Sequence, residues 1–139
     1  MISTLDILDI VYAKLAASDL LVGTTNAISG KLYKLTRPQG STSEDVVINC
    51  LPVTSDVLQL ATVNVNIYVP DLHSEYNSIE QYLPDLARLD SLAAMAITAL
   101  QGAYEAGYFF YIASQVVYAA EATHEHFINL RIEFKNLNP

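Results

Sequence analysis

The sequence contains no tryptophan, a single cysteine and few positive charges. One cysteine, Cys50, excludes an intramolecular disulfide bond, and its apolar neighbours favour a small core residue over a catalytic thiol. Seven lysines and arginines stand against 15 acidic residues, so the net charge is −8. Because binding to nucleic acid or to an anionic membrane needs a positive surface, we expect no sequence-specific nucleic-acid binding and no membrane partner.

Long apolar runs are missing as well. The longest cover residues 92–97 and 108–113, far short of the roughly 20 residues that cross a bilayer. The first residues carry no basic segment and reach Asp6 early, so they do not form a signal peptide. We therefore expect a protein made in the cytoplasm, and the 139 residues predict a single domain with one core.

Sequence signatures of catalysis and of cofactor binding are absent. There is no Ser-His-Asp order, no Gly-x-Ser-x-Gly elbow, no Walker loop and no Cys-x-x-Cys pair. The one cluster of ligand-type side chains is His124-Glu125-His126. Two histidines leave a zinc site short of ligands, and His73 is distant in sequence, so an exposed turn is the favoured interpretation. We predict a protein that is not an enzyme, with no catalytic residues, no metal and no cofactor.

The apolar content is high for a chain with so few charges. Hydrophobic residues make up 52% of the sequence and charged residues 16%, against about 25% charged in an average soluble domain. The charges are too few to cover the surface in the usual way, so we expect part of it to be buried against other chains. The only basic concentration, Lys31, Lys34 and Arg37, is expected to form a local patch that pairs with acids on a partner.

Hydrophobic periodicity predicts two helices and five strands in the order α-β-β-β-α-β-β. The predicted helices cover residues 5–17 and 84–104, and the strands cover residues 31–37, 46–53, 59–69, 108–120 and 127–135. Residues 37–45 are expected to form a flexible, exposed loop, and residues 71–83 a connection with one possible helical turn. The fold class predicted is α+β, a two-layer sandwich with a mainly antiparallel sheet and helices on one face.

The second predicted helix indicates a subunit interface. It carries no charge from Ser91 to Tyr104, and a helix that is apolar all round is buried all round. One sheet covers one side only, so the other side should meet a loop or a neighbouring subunit. Together with the tyrosine-rich strand that follows, it gives a candidate interface, with Asp6, Asp9, Glu44, Asp45 and Asp71 left in solvent. The interface residues are Leu92, Met95, Ala99, Tyr104, Tyr108, Tyr111 and Tyr118.

The chain resembles a known family in its order of elements. An N-terminal helix leads to Gly30-Lys31-Leu32-Tyr33 and Arg37-Pro38-Gln39-Gly40, and a strand pair ends in the alternating residues 63–69 before a long helix and a last hairpin. This pattern resembles the small tail terminator, or tail completion, proteins of long-tailed bacteriophages and prophages, which are also described as head-tail joining proteins. The resemblance implies a structural virion protein without catalysis.

The resemblance also implies an assembly and its partners. Its members form a ring, usually of six copies, at the head-proximal end of the tail tube. The ring stops tube polymerisation and presents a surface to the head connector. The partners implied are therefore further copies of the chain, the tail tube protein and the head connector proteins. The location implied is the host cytoplasm during assembly and then the virion.

Two other interpretations stay open. One is a small dimeric α+β ligand-binding or enzyme domain, with a pocket between helix and sheet near His124 and His126. The other is a different virion part, such as a head completion or tail tube subunit. Native mass separates the ring from the dimer, because a ring needs a head-to-tail contact that closes.

Overall fold

A computed structural model describes residues 1–23, 25–101 and 103–138, with only the backbone of Ala103. Over these residues the fold class is α+β, with two α-helices and a mainly antiparallel sheet. The helices are α1 (Thr4–Ala16) and α2 (Leu86–Leu100). The strands are β1 (Leu32–Lys34), β2 (Val46–Cys50), β3 (Leu58–Pro70), β4 (Leu72–Tyr76), β5 (Ile79–Leu83), β6 (Ala103–Glu105), β7 (Tyr108–Ala120) and β8 (Glu125–Leu137).

Side-chain caps fix where the two helices begin. The Ser3 hydroxyl accepts a hydrogen bond from the Asp6 backbone N–H at 3.1 Å, and the Asp6 carboxylate accepts one from the Ser3 N–H at 2.9 Å. This reciprocal capping box starts α1. The Asp85 carboxylate accepts from the Arg88 N–H at 3.2 Å and starts α2. α2 ends at Leu100 because Gln101 is extended, so it is shorter than the predicted helix, and Tyr104 lies on β6.

The main sheet has six strands in the order β1-β2-β3-β8-β7-β6. The two longest strands, β3 and β8, pair along their whole length, as the strict alternation of both sequences predicts. Val46, Ile67, Ile128 and Val117 form one cross-strand row on the inner face of the sheet. Rows of this kind face both helices, and the inward side chains of helices and sheet form one hydrophobic cluster.

The predicted element order is wrong in the middle of the chain. Residues 71–83 form no helical turn; they form a second, two-stranded sheet from β4 and β5. The turn between them places Asn77 and Ser78 at φ values of 52° and 65°, which is the pattern of a type I′ hairpin turn. Because Asn-Ser lacks the glycine that usually signals this turn, the hairpin was missed. With β6 added, the order is α-β-β-β-β-β-α-β-β-β.

The pairing of the first two strands also differs from expectation. β1 and β2 run parallel, with Leu32 beside Val46, whereas a returning antiparallel strand was expected. Leu35 adopts a positive φ of 71° directly after β1 and turns the chain out of the sheet. The loop that follows carries the chain back to the start of β2. Both strands therefore begin at the same end of the sheet.

Candidate assembly surface

The outer edge of β7 is open over most of its length. β6 pairs with β7 only at Tyr108, Phe109 and Phe110, so in the described part of the chain residues 111–120 have no strand on that side. Those residues carry no charge and no proline. Four of them are large hydrophobics that are 40–50% exposed, namely Tyr111, Val116, Val117 and Tyr118. Natural sheet edges are usually protected by charges or prolines, and residues 111–120 have neither.

A groove runs along the helix side of this edge. It lies between α2 and β7 and has a volume of about 330 Å³. Its walls are mostly apolar, with one acid and one amide, and are formed by Leu86, Leu89, Asp90, Ala93, Gln115, Val116, Val117 and Ile128. The open edge and the groove form one continuous surface, because Val116 and Val117 belong to both.

The second unpartnered surface is the β4–β5 hairpin, called here the arm. Side chains alternate between its two faces, so one face carries Leu72, Tyr76, Ile79 and Leu83 at its two ends, with Ser74 and Gln81 between them. Those four side chains are 48–67% exposed. The opposite face carries His73, Glu75, Glu80 and Tyr82. An isolated two-stranded hairpin is marginally stable in water at best, so the exposed arm has little stability of its own.

The root of the arm is fixed to the body by aromatic and polar contacts. The Tyr82 ring stacks on the His124 ring at 3.6 Å and faces the His73 ring at 5.0 Å. Asp71, just before the arm, hydrogen-bonds the His126 Nδ1 at 2.6 Å, and its N–H donates to the His124 carbonyl at 2.9 Å. His124, through Tyr82, and His126, through Asp71, therefore hold the root of the arm to the β7–β8 turn.

The expected exposed turn between the two strands is present and includes His124, but Glu125 and His126 belong to β8. His124 has a positive φ of 52° and ends a single 3₁₀ turn, while Glu125 is buried. The two histidines engage different partners, Tyr82 and Asp71. Within residues 1–23, 25–101 and 103–138, no three histidine, cysteine or acidic side chains are grouped to hold a metal ion.

Arg37 is the centre of a buried ion cluster. Its guanidinium, with the side chain 16% exposed, contacts Glu125 and Asp45 and lies over the Tyr68 ring at 3.8 Å. Asp45 also accepts a hydrogen bond from the Lys31 N–H at 3.0 Å and one from the Ser41 hydroxyl. Burial raises the pKa of Tyr68, an effect that the neighbouring guanidinium opposes.

These contacts correct the expected basic patch and several of the expected solvent-exposed acids. Arg37 pairs with buried acids of its own subunit and is not available to a partner. Lys31 and Lys34 are exposed, although Lys34 pairs with Asp9 of α1, so pairing of these two lysines with a partner stays a prediction. Asp45 and Asp71 were expected to lie in solvent, but Asp45 is buried against Arg37, and the buried Asp71 side chain is hydrogen-bonded to His126. The loop from Arg37 to Asp45 is held at both ends by the same cluster, while residues 38–40 and Thr42 are exposed as expected. Flexibility of the loop stays a prediction.

The face of the sheet that points away from the helices carries an asparagine ladder. The Asn64 amide donates to the Asn49 oxygen at 3.1 Å, and the Asn129 amide donates to the Asn64 and Asn66 oxygens at 3.3 and 2.7 Å. Beside the ladder, Arg131 is exposed next to Ser114 of β7. In the part of the chain that the structure describes, the Arg131 side chain forms no ion pair or hydrogen bond.

The seven predicted interface residues fall in different places. Leu92 is fully buried in the core of its own subunit, so it is not a surface residue. Met95 and Ala99 are half-buried and line a shallow groove beside the end of α1. Three tyrosines lie on or beside the open edge: Tyr111, Tyr118 and, on β6, Tyr104, which stacks on Phe109 at 5.9 Å. The seventh, Tyr108, is half-buried and stacks on Phe134 at 5.3 Å.

α2 is buried on one side within the subunit. Leu89, Leu92, Ala96 and Leu100 face the core, while Leu86 at the N-terminal end is largely exposed. Burial of a second side against another subunit stays a prediction. Sequence reasoning missed the arm, because Ser74 and Gln81 interrupt the apolar–polar alternation of residues 72–76 and 79–83.

Comparison with protein-family models finds no match for this chain, and comparison with curated proteins finds none either. Among the helices of the described residues, none has the length and apolar character needed to cross a bilayer.

Proposed function

We propose that the chain is a structural protein of a phage or prophage tail, a terminator whose copies form a ring that caps the tail tube and joins it to the head connector. The observation that carries the proposal is the presence of two unpartnered surfaces on one small subunit. These are the open edge of β7 and the apolar face of the arm.

The two surfaces suit head-to-tail assembly. They belong to different elements, so a contact between them joins unlike patches of neighbouring copies. Such heterologous contacts generate a ring when the rotation closes. The number of copies, six, comes from the resemblance in element order, and the partners proposed with it are the tail tube protein and the head connector.

Charge supports the same function. Neither the open edge nor the apolar face of the arm carries a charge, so identical copies of net charge −8 can meet there without bringing acids together. Copies that keep their acids on the rim or the lumen would form a negatively charged channel, through which DNA passes without binding.

The ionisable side chains that could take part in catalysis are instead engaged in contacts that stabilise the fold. His126 bonds Asp71 at the root of the arm, and Arg37 bonds Glu125 and Asp45 between the loop and the sheet. These assignments favour a structural role without catalysis or cofactor. In this proposal the protein is assembled in the host cytoplasm and then resides at the head-proximal end of the virion tail.

The direct test is capping of a growing tail tube. Tube protein of the same phage would be polymerised with and without the purified chain, and tube lengths and ends would be recorded by electron microscopy. We expect shorter tubes of narrow length distribution with a ring at one end. Unchanged lengths and bare ends would contradict the terminator function.

A dimeric ligand-binding domain is the second candidate, and the groove between α2 and β7 favours it. A groove of about 330 Å³ with Asp90 and Gln115 among apolar walls is large enough for a small amphipathic molecule. A native mass of two copies, combined with uncapped tubes, would support this candidate over the ring.

A further inference from the structure

We propose that the arm of one copy adds to the open edge of β7 in a second copy and extends the six-stranded sheet across the subunit boundary. This inference rests on the proposed function, because it specifies the contact that would close the ring. It is tested by native mass alone, so it can hold even where tube capping fails.

The main chains of the two elements are suited to each other. Residues 111–120 of β7 have no strand on their outer side in the described structure. The arm has five-residue strands, β4 and β5, each with an open outer edge. Strand addition satisfies such rows of N–H and C=O groups on both partners. It also converts the arm from two strands into part of a larger sheet, which removes its marginal stability.

The helix-side faces of the two elements are both largely apolar, whereas the outer side of β7 carries Tyr111, Ser114, Val116 and Tyr118. In a continued sheet, one face of the arm follows the helix side of β7 and the other follows its outer side. On the helix side, β7 borders the apolar groove with Leu86 and Ala93. The apolar face of the arm would cover this groove with Leu72, Tyr76, Ile79 and Leu83.

Charge complementarity fixes which face of the arm points outward. Glu75 and Glu80 lie directly opposite each other in the arm, and like charges in that position destabilise a strand pair. The imidazole of His73 lies beside them, with its Nε2 3.6 Å from a Glu80 oxygen. On the outer face of the sheet, Arg131 is exposed and separated from the open edge only by the small Ser114. An arm added there brings the two glutamates within reach of this guanidinium.

The same charges select a second copy as the occupant. The arm's own body cannot supply the contact, because Tyr82 and Asp71 hold its root at the β7–β8 turn, past the end of the open edge. Each copy offers both the acidic face of the arm and an uncharged open edge with Arg131 beside it, so one interaction repeated head-to-tail satisfies every copy in a ring.

A charge exchange tests the proposal. The arm variant is Glu75→Lys with Glu80→Lys, the edge variant is Arg131→Glu, and native mass is measured by analytical ultracentrifugation at the highest concentration that stays clear. We expect the wild type to form multimers and each variant alone to lose them. An equal mixture of the two variants should recover the multimers, because each arm then meets an edge of opposite charge.

The control is Asp56→Lys, an exposed acid far from both surfaces in sequence, which should leave the multimer intact. The arm variant removes half of the net charge of −8, so general repulsion alone would make it associate more strongly than the wild type. A wild type that stays monomeric, an arm variant that keeps its multimers, or a mixture that stays monomeric would each overturn the proposal. Loss of mass in the edge variant only would indicate edge-to-edge pairing and would also overturn it.

Discussion

Arg37 lies over the ring of Tyr68, with its guanidinium carbon 3.8 Å from the ring centroid, while the same group contacts Glu125 across 88 residues of sequence. The contact joins the loop after β1 to the first residue of β8. Because Asp45 and Glu125 are buried, this one cation compensates two carboxylates away from water. The cluster therefore holds the loop against the centre of the sheet.

Arg37→Met should destabilise the fold strongly, because it leaves two buried carboxylates without their cation. Breaking such a pair from one side costs about 3–5 kcal/mol, to be measured as the free energy of unfolding in urea. Adding Glu125→Gln to Arg37→Met should recover part of the loss. Lys34→Met is the matched control, since its pair with Asp9 is exposed and worth about 1 kcal/mol or less. Equal losses in Arg37→Met and Lys34→Met would contradict the assignment.

Tyr82→Ala should release the arm without unfolding the body. The Tyr82 ring fills the space between His124 and His73, and aromatic stacking contributes about 0.5–1.5 kcal/mol beyond buried area. Hydrogen exchange of the β4 and β5 amides should become faster, while the β3 and β8 amides keep their protection. Tyr82→Phe retains the stack and should behave as the wild type. Tyr76→Ala, at the exposed tip, is the control; arm amides that exchange equally in both alanine variants would contradict the anchoring role.

The central strands of the fold are predictable from sequence because the two faces of the sheet differ sharply. Val63, Val65 and Ile67 alternate with Thr62, Asn64 and Asn66, and only one register buries the first set. The capping box of Ser3 and Asp6 involves residues only three positions apart, so it can also be predicted from the sequence. The α+β class and the inward face of β8 follow from signals of this kind.

The arm and the ion cluster were not predictable for two different physical reasons. The arm buries almost nothing within its own subunit, so its sequence shows no regular contrast between a core face and a solvent face, and Asn77-Ser78 is a weak turn signal. The Arg37–Glu125 contact depends on where a loop lies relative to a strand 88 residues away, which no local pattern contains. The open edge of β7 likewise depends on β6 being only three residues long.

The pair formed by Glu44 and Arg88 should make stability depend on pH. Burial alone would raise the pKa of Glu44, but hydrogen bonds from the Arg88 side chain at 2.6 and 2.8 Å and from the Ser29 N–H outweigh it and lower the pKa below the ordinary 4.5. A carboxyl group whose pKa is lower in the folded state stabilises the fold above its unfolded pKa. That contribution is lost as the pH falls through the lower, folded value.

Urea unfolding measured from neutral pH down to about pH 3, below the ordinary glutamate pKa, checks this dependence. Glu44→Gln should be less stable than the wild type at neutral pH, and the difference should shrink as the solution is acidified. Asp6→Asn is the control at an exposed helix cap, where the Ser3 backbone and side-chain hydrogen bonds lower the pKa of Asp6; its effect should be smaller because solvent screens it. A difference between Glu44→Gln and wild type that stays constant with pH would contradict the linkage.

Met95→Glu tests whether α2 has a second buried side in the assembly. Met95 is half-buried beside the end of α1, whereas Leu92, one turn back, is fully buried in the core. Leu92→Ala should therefore cost about 2–5 kcal/mol of folding free energy by leaving a cavity. Met95→Glu should cost the subunit less, because its carboxylate can reach solvent.

If the groove of Met95 and Ala99 meets a neighbour, however, the same substitution buries an unpaired charge in that contact and should reduce the native mass. Thr98→Glu, exposed on the same groove, should act in the same direction. Multimers that survive both substitutions would show that α2 is buried on one side only, and the subunit contact would then lie at the arm and the β7 edge alone.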